Sequence, residues 1–158
     1  MHFFITQGIV RQTTGGYNSE ANGTAERMIR TLKEKARCGM YASSLPMNLW
    51  AEAINTAAFV QNFSFHSRTK MTPYALFTGF KPDGSILRVF GCRIFALIAL
   101  KLRSSDGLTS TSFSGVFLGY APNSKGYRIL YYDPKLCRNR IRVIRTADCR
   151  FFENEFPY

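Results

Sequence analysis

The sequence predicts an α+β fold, a mostly helical first half followed by a small antiparallel β-barrel, and three observations carry that reading. Apolar residues recur at steps of three and four until about residue 80, the mark of helices buried on one face. After the break Lys81-Pro82-Asp83-Gly84 the period becomes strand-like and stays so to the end. The later segments are short and separated by turn-forming stretches such as PNSKG and DPKLCRN, which suits hairpins. The expected domains are 1–83 and 84–158.

Residues 9–14, IVRQTT, read as a short β-branched strand ending at Gly15-Gly16. The first helix is expected from about Ala21, with Ala25, Ile29, Leu32, Ala36 and Met40 as its apolar stripe, Asn18 or Ser19 as cap, and Gly39 near its end. A second is announced by Leu45-Pro46 and continues through Trp50, Ile54, Ala57 and Val60 to about Phe63, with Trp50 expected in the core. A third is framed by Thr72 as cap, Pro73 at its first position and Gly79 after its last. The three helices are expected to pack together. Strands are expected at 88–100, 115–120, 127–132, 140–145 and 148–152, with the Ser/Thr-rich residues 102–114 as a loop. Barrel closure would remove exposed edges.

The chain has 158 residues, 46% hydrophobic, enough for a packed core. Its formal net charge of +11 points to nucleic acid or another anionic surface. Residues 86–158 carry 12 Lys and Arg against 5 Asp and Glu, so +7 of that charge lies there. Cys38, Cys92, Cys137 and Cys149 form no CxxC pair, and His2 and His66 are far apart, which argues against a zinc finger. The opening MHFFITQGIV lacks the basic start of a secretory signal, and the run IFALIAL is too short to span a bilayer. An intracellular protein with free thiols and no membrane partner is expected. No GxSxG motif, phosphate-binding loop or dinucleotide fingerprint occurs, and His66 reads as an ordinary loop histidine.

At 100° per residue, Glu26, Arg30, Lys33 and Arg37 fall within about a 60° arc beside the apolar stripe. Two readings fit: a solvated face with a Glu26–Arg30 pair contributing ~0.3–0.5 kcal/mol, or a functional surface. In RNRIRVIR, Arg138, Arg140 and Arg142 lie on one side of a strand and Ile141 and Val143 on the other. Such a stripe either tracks phosphates or protects a strand edge from aggregation.

Four blocks, GYNSEANGTAERMIRTLKEKAR, NLWAEAINTAAFVQN, TPYALFTGFKPDGSILRVFGC and SGVFLGYAPNSKGYRIL, occur in that order. Together they resemble the integrase region of a copia-type retrotransposon polyprotein over nearly the whole chain. The resemblance implies the last portion of an RNase H-like integrase core up to about residue 80, then a Src-homology-3-like β-barrel. In that family two Asp and one Glu hold two Mg²⁺ ions, which assist in-line attack on a phosphodiester; carboxylates are the hard oxygen ligands such ions take. Glu26 matches the family's Glu, as catalytic residue and metal ligand. Arg30, Lys33 and Arg37 would then hold DNA phosphates, and Tyr17 and Asn22 match loop positions near the DNA end.

The sequence also departs from the family. No Asp precedes Asp83, so both catalytic aspartates are missing from these residues, and Gly16 and Ser19 stand where the family usually has Pro. The family's N-terminal zinc module is not among them either. The expectation is a truncated integrase fragment that does not cut or join DNA alone but retains nucleic-acid binding. The alternatives are a repurposed binding or protein-interaction module, and a fragment of an enzyme whose aspartates lie upstream. Without the first strands of the core, helices 1 and 2 are expected to expose apolar faces, a site for self-association or for an upstream integrase half. A nuclear or cytoplasmic location follows only from the resemblance.

Overall fold

The computed structural model describes Thr6, Gly8 and residues 22–98, 110–122, 124–133, 137–145 and 148–158. The expected strand at 9–14, the caps Asn18 and Ser19, and Tyr17 lie outside the described residues. The chain divides into two compact units, Met1–Thr31 and Leu32–Tyr158. Helix α1 is Gly23–Ser43, α2 is Trp50–Phe63 and α3 is Pro73–Thr78. Strands β1 (Arg93–Leu97), β2 (Ser112–Tyr120), β3 (Gly126–Asp133), β4 (Arg138–Arg145) and β5 (Cys149–Phe152) follow.

Gly39 lies near the end of helix α1, which continues past it to Ser43. A Cβ at Gly39 would meet the Phe90 ring at 3.3 Å, so this glycine admits a close neighbour instead of capping the helix. Ala36 and Met40 of α1 pack with Ala53 and Ala57 of α2, flanked by Leu32, Ile54 and Phe90. Trp50, expected in the core, is 57% exposed. The buried face of α2 is made of small residues, Ala53, Thr56 and Ala57, and Trp50 opens the helix away from it. Helix α3 follows its sequence signals: the Thr72 hydroxyl accepts from the Ala75 N–H at 3.1 Å, and Gly79 takes φ 76°.

The strands form one antiparallel sheet in the order β4-β3-β2-β1-β5. Among the described residues no ladder joins β5 to β4, so closure by hydrogen bonds, expected for a barrel, is not seen. The tail instead reaches β4, where the Asn139 amide donates to the Tyr158 hydroxyl at 3.0 Å. Strand β1 begins only at Arg93. Just before it Gly91 takes φ 81°, and a Cβ there would fall 2.1 Å from Ser43 Cβ, so the chain turns against α1 before it can extend. Strand β2 begins at Ser112, within the expected loop, because Ser112 and Ser114 pair with Leu97 and Phe95 of β1.

The sheet buries both faces in part. Ile94, Ala96, Phe117, Tyr127 and Ile129 form the inner cluster, closed by Phe151 and Ile144. Val116, Leu118 and Leu130 on the opposite face pack beneath Leu45 and Leu49. Thr56 of α2 fixes that contact by donating its hydroxyl to the Leu118 carbonyl at 2.6 Å. The bulge at Phe117/Gly119 makes room for it: Gly119 has φ 145°, and a Cβ would lie 2.1 Å from Thr56 Oγ1.

Candidate functional site

The basic helix is the first place where sequence points to chemistry. Glu26 and Arg30 belong to the first unit, Lys33 and Arg37 to the second, and all four side chains are exposed, as is Asn22 immediately before the helix. Among the described residues the ion pairs involve Arg88, Arg93, Arg128 and Arg140. Arg30, Lys33 and Arg37 make none of these, and the Glu26–Arg30 pair considered from spacing is not formed. These cations are therefore open to an external anion. Lys35, which the spacing did not single out, is instead tied to α2 through Gln61 Oε1 at 2.5 Å.

No group of three or more His, Cys, Asp or Glu able to hold a metal ion occurs among the described residues. A Mg²⁺ pair takes many oxygen ligands, and Glu26 supplies at most two oxygens. The described residues do not fit a two-ion site.

The arginine stripe is organised differently from what the sequence suggests. On β4 it is Ile141 and Val143 that are exposed, at 40% and 47%. The arginine side ends in Ile144, which packs against the inner core. Arg142 lies with its guanidinium 5.8 Å from the centre of the Tyr131 ring, and Arg140 pairs with Asp133 at 3.5 Å. Arg138, at the start of the strand, is exposed. The stripe thus continues the inner face past the end of the core, where alternation alone could not tell inside from outside.

Two further features were not legible in local sequence. Arg128 of β3 grips Glu52 of α2 with two hydrogen bonds, Nε to Oε2 at 2.7 Å and Nη2 to Oε1 at 2.5 Å. That contact with the carboxylate raises the Arg128 pKa further. Beside the pair is a cavity of about 510 Å³ lined in part by Asn55, Phe59, Asn62 and Tyr120. Of the cysteines, Cys38 and Cys137 are exposed, Cys149 is half-buried and Cys92 is buried. Burial pushes the Cys92 thiol up to about 12 and the Cys149 thiol to about 11, helped by Glu153 and Asp148 respectively.

Residues 92–158, which contain all five strands, match the retroviral polymerase SH3-like domain. Over 156 residues the chain is 34% identical to the retrovirus-related Pol polyprotein from transposon TNT 1-94 of Nicotiana tabacum, covering 95% of this chain and 11% of that protein. The chain is thus similar to one segment of retrotransposon Pol polyproteins. The Pol polyprotein from transposon RE1 of Arabidopsis thaliana is 29% identical over 157 residues, 99% of this chain and 10% of the relative. The chain therefore spans about a tenth of the length of the curated relatives it matches. Among its described residues no helix is long and apolar enough to cross a membrane.

Proposed function

We propose that the chain is an integrase-region segment of a copia-type Pol polyprotein that binds DNA through its backbone and does not itself break or join phosphodiester bonds. The observation that carries this reading is the set of exposed α1 cations, Arg30, Lys33 and Arg37, with no ion-pair partner among the described residues. Each such cation set against a phosphate releases counterions, which is the main source of sequence-independent DNA affinity. Arg138, exposed at the start of β4, is a further cation for phosphate contact, whereas Arg140 and Arg142 are partly occupied by Asp133 and Tyr131.

In this reading residues 1–83 are the end of an RNase H-like core, and Glu26 is the carboxylate the family uses as a Mg²⁺ ligand. Alone it lacks the partners that a metal pair requires. The purified 158-residue chain, given Mg²⁺ or Mn²⁺ and a labelled oligonucleotide duplex, is expected to yield neither cleaved nor joined product. A joined product would overturn the proposal. The DNA met in the cell would be transposon ends or their target, in the nucleus or in the cytoplasm.

A second reading, a protein-interaction module, is favoured by the exposed apolar residues Met28, Ile29 and Trp50, and by Phe77 at 93% and Phe80 at 74% exposure. The partner would be another copy of the chain or the part of an integrase that precedes it. Sedimentation across a hundredfold concentration range separates the two: this reading needs self-association, or capture of an added upstream core, whereas the first needs neither.

A further inference from the structure

The helical layer covers the outer face of the sheet over Val116, Leu118 and Leu130, and reaches Arg128 of β3 through Glu52. Over β1 and β5, among the described residues, outer side chains remain partly exposed. There the alternation sends Ile94 and Ala96 inward at 0% exposure, while Phe95 and Leu97 turn outward at 36% and 45%. Strand β5 behaves in the same way, with Phe151 closing the inner core and Arg150 and Phe152 on the other side. The register sets Phe95 opposite Arg150 and Arg93 opposite Phe152, so aromatic rings and guanidinium groups alternate in both directions.

The contacts within this patch are specific. The rings of Phe95 and Phe152 meet edge to face, with centres 5.5 Å apart and planes at 75°. Arg150 extends the arrangement with its guanidinium carbon 5.9 Å from the Phe152 ring centre. Of the acids near the patch, Glu155 pairs with Arg93 of the same face at 3.2 Å, and Glu153 lies 3.9 Å from Arg88. On β2, Ser114 pairs with Phe95 and carries the face on with a small, exposed polar side chain.

We infer that the β1–β5 face is a stacking platform for single-stranded nucleic acid, with Phe95 and Phe152 receiving bases and Arg150 serving both as a third stacking plane and as a phosphate contact. Aromatic side chains on adjacent strands of an open sheet face, with arginine beside them, are how sequence-tolerant single-strand binders gain affinity, because every base has a π-face. Charge complementarity favours this occupant over an apolar protein segment, since residues 86–158 carry 12 Lys and Arg against 5 Asp and Glu. The platform is separate from the α1 cations, which act on phosphates of either single or double strands.

The test compares a fluorescent twelve-residue oligothymidylate, an abasic strand of the same length and a duplex, by anisotropy at fixed salt. The wild-type chain is expected to bind oligothymidylate at least about tenfold more tightly than the abasic strand. F95L/F152L, which keeps the apolar volume, should lose that preference while its thermal transition stays cooperative, and F95Y/F152Y should retain it. Equal affinity for the thymidylate and abasic strands would overturn the platform. So would a folded F95L/F152L protein with an unchanged preference, or binding confined to duplex. Arg30→Ala lowers affinity for all three probes alike, so failure of the α1 reading leaves the base preference intact and is told apart from failure of the platform.

Discussion

Arg128 and Glu52, 76 residues apart, meet in a two-point ion pair that ties β3 to helix α2. Their side chains are only 30% and 14% exposed, so the pair is desolvated enough to matter and its removal leaves a charge stranded. Arg128→Ala is expected to destabilise the fold by about 1–3 kcal/mol, and Glu52→Gln by less because the amide oxygen still accepts one bond. Urea unfolding of both variants checks this. A loss below about 0.5 kcal/mol for Arg128→Ala would mean that the pair is no more than a surface contact.

The approach of Gly119 to Thr56 makes a sharper prediction. Alanine at residue 119 would place its Cβ 2.1 Å from Thr56 Oγ1 on a backbone at φ 145°, so Gly119→Ala is expected to cost at least about 2 kcal/mol. Thr56→Val removes the donor to the Leu118 carbonyl and is expected to cost about 1–3 kcal/mol. The two losses should not add, because both act on one contact. A double-variant denaturation cycle reads the coupling directly.

The helix framed by Thr72, Pro73 and Gly79 and the pairing of β2 with β3 were legible, because caps, turn residues and strand alternation are local signals. The exposure of Trp50 was not, since periodicity marks a helix face but does not say how deep it sits. The first residues of β2 looked like loop because Ser112 and Ser114 are polar, yet they lie in the sheet opposite Leu97 and Phe95. Arginine alternation along β4 was visible, whereas its inward direction depended on Ile144 reaching the core. The Arg128–Glu52 pair and the Phe95–Phe152 contact join distant segments, and local pattern holds no trace of them.

The thiols should divide by burial. At pH 8 the exposed Cys38 is expected to react within minutes with a disulfide reagent. Cys92, whose thiol burial holds up at about 12, should react only after denaturation. A Cys92 that reacts as fast as Cys38 in the native protein would contradict its buried placement.

The buried thiols also set a pH dependence. Below about pH 8.5, the ordinary cysteine value, Cys92 and Cys149 are protonated in the folded and in the unfolded chain, and their contribution to stability is complete. Above it the unfolded chain ionises first, so stability falls as pH rises toward about 11 for Cys149 and about 12 for Cys92. The Cys92→Ala and Cys149→Ala variants should each lose part of that alkaline slope, which thermal melts between about pH 8 and 10.5 would reveal.

The most direct test of the central claim is DNA affinity measured against salt for the wild-type chain, Glu26→Gln and Arg30→Ala/Lys33→Ala. Backbone binding through α1 predicts a steep fall of affinity with salt that Glu26→Gln leaves in place. The double variant should bind more weakly, with a slope shallower by roughly 0.9 for each phosphate it no longer neutralises. A double variant with the wild-type slope would contradict the account and take the DNA-binding role away from this helix.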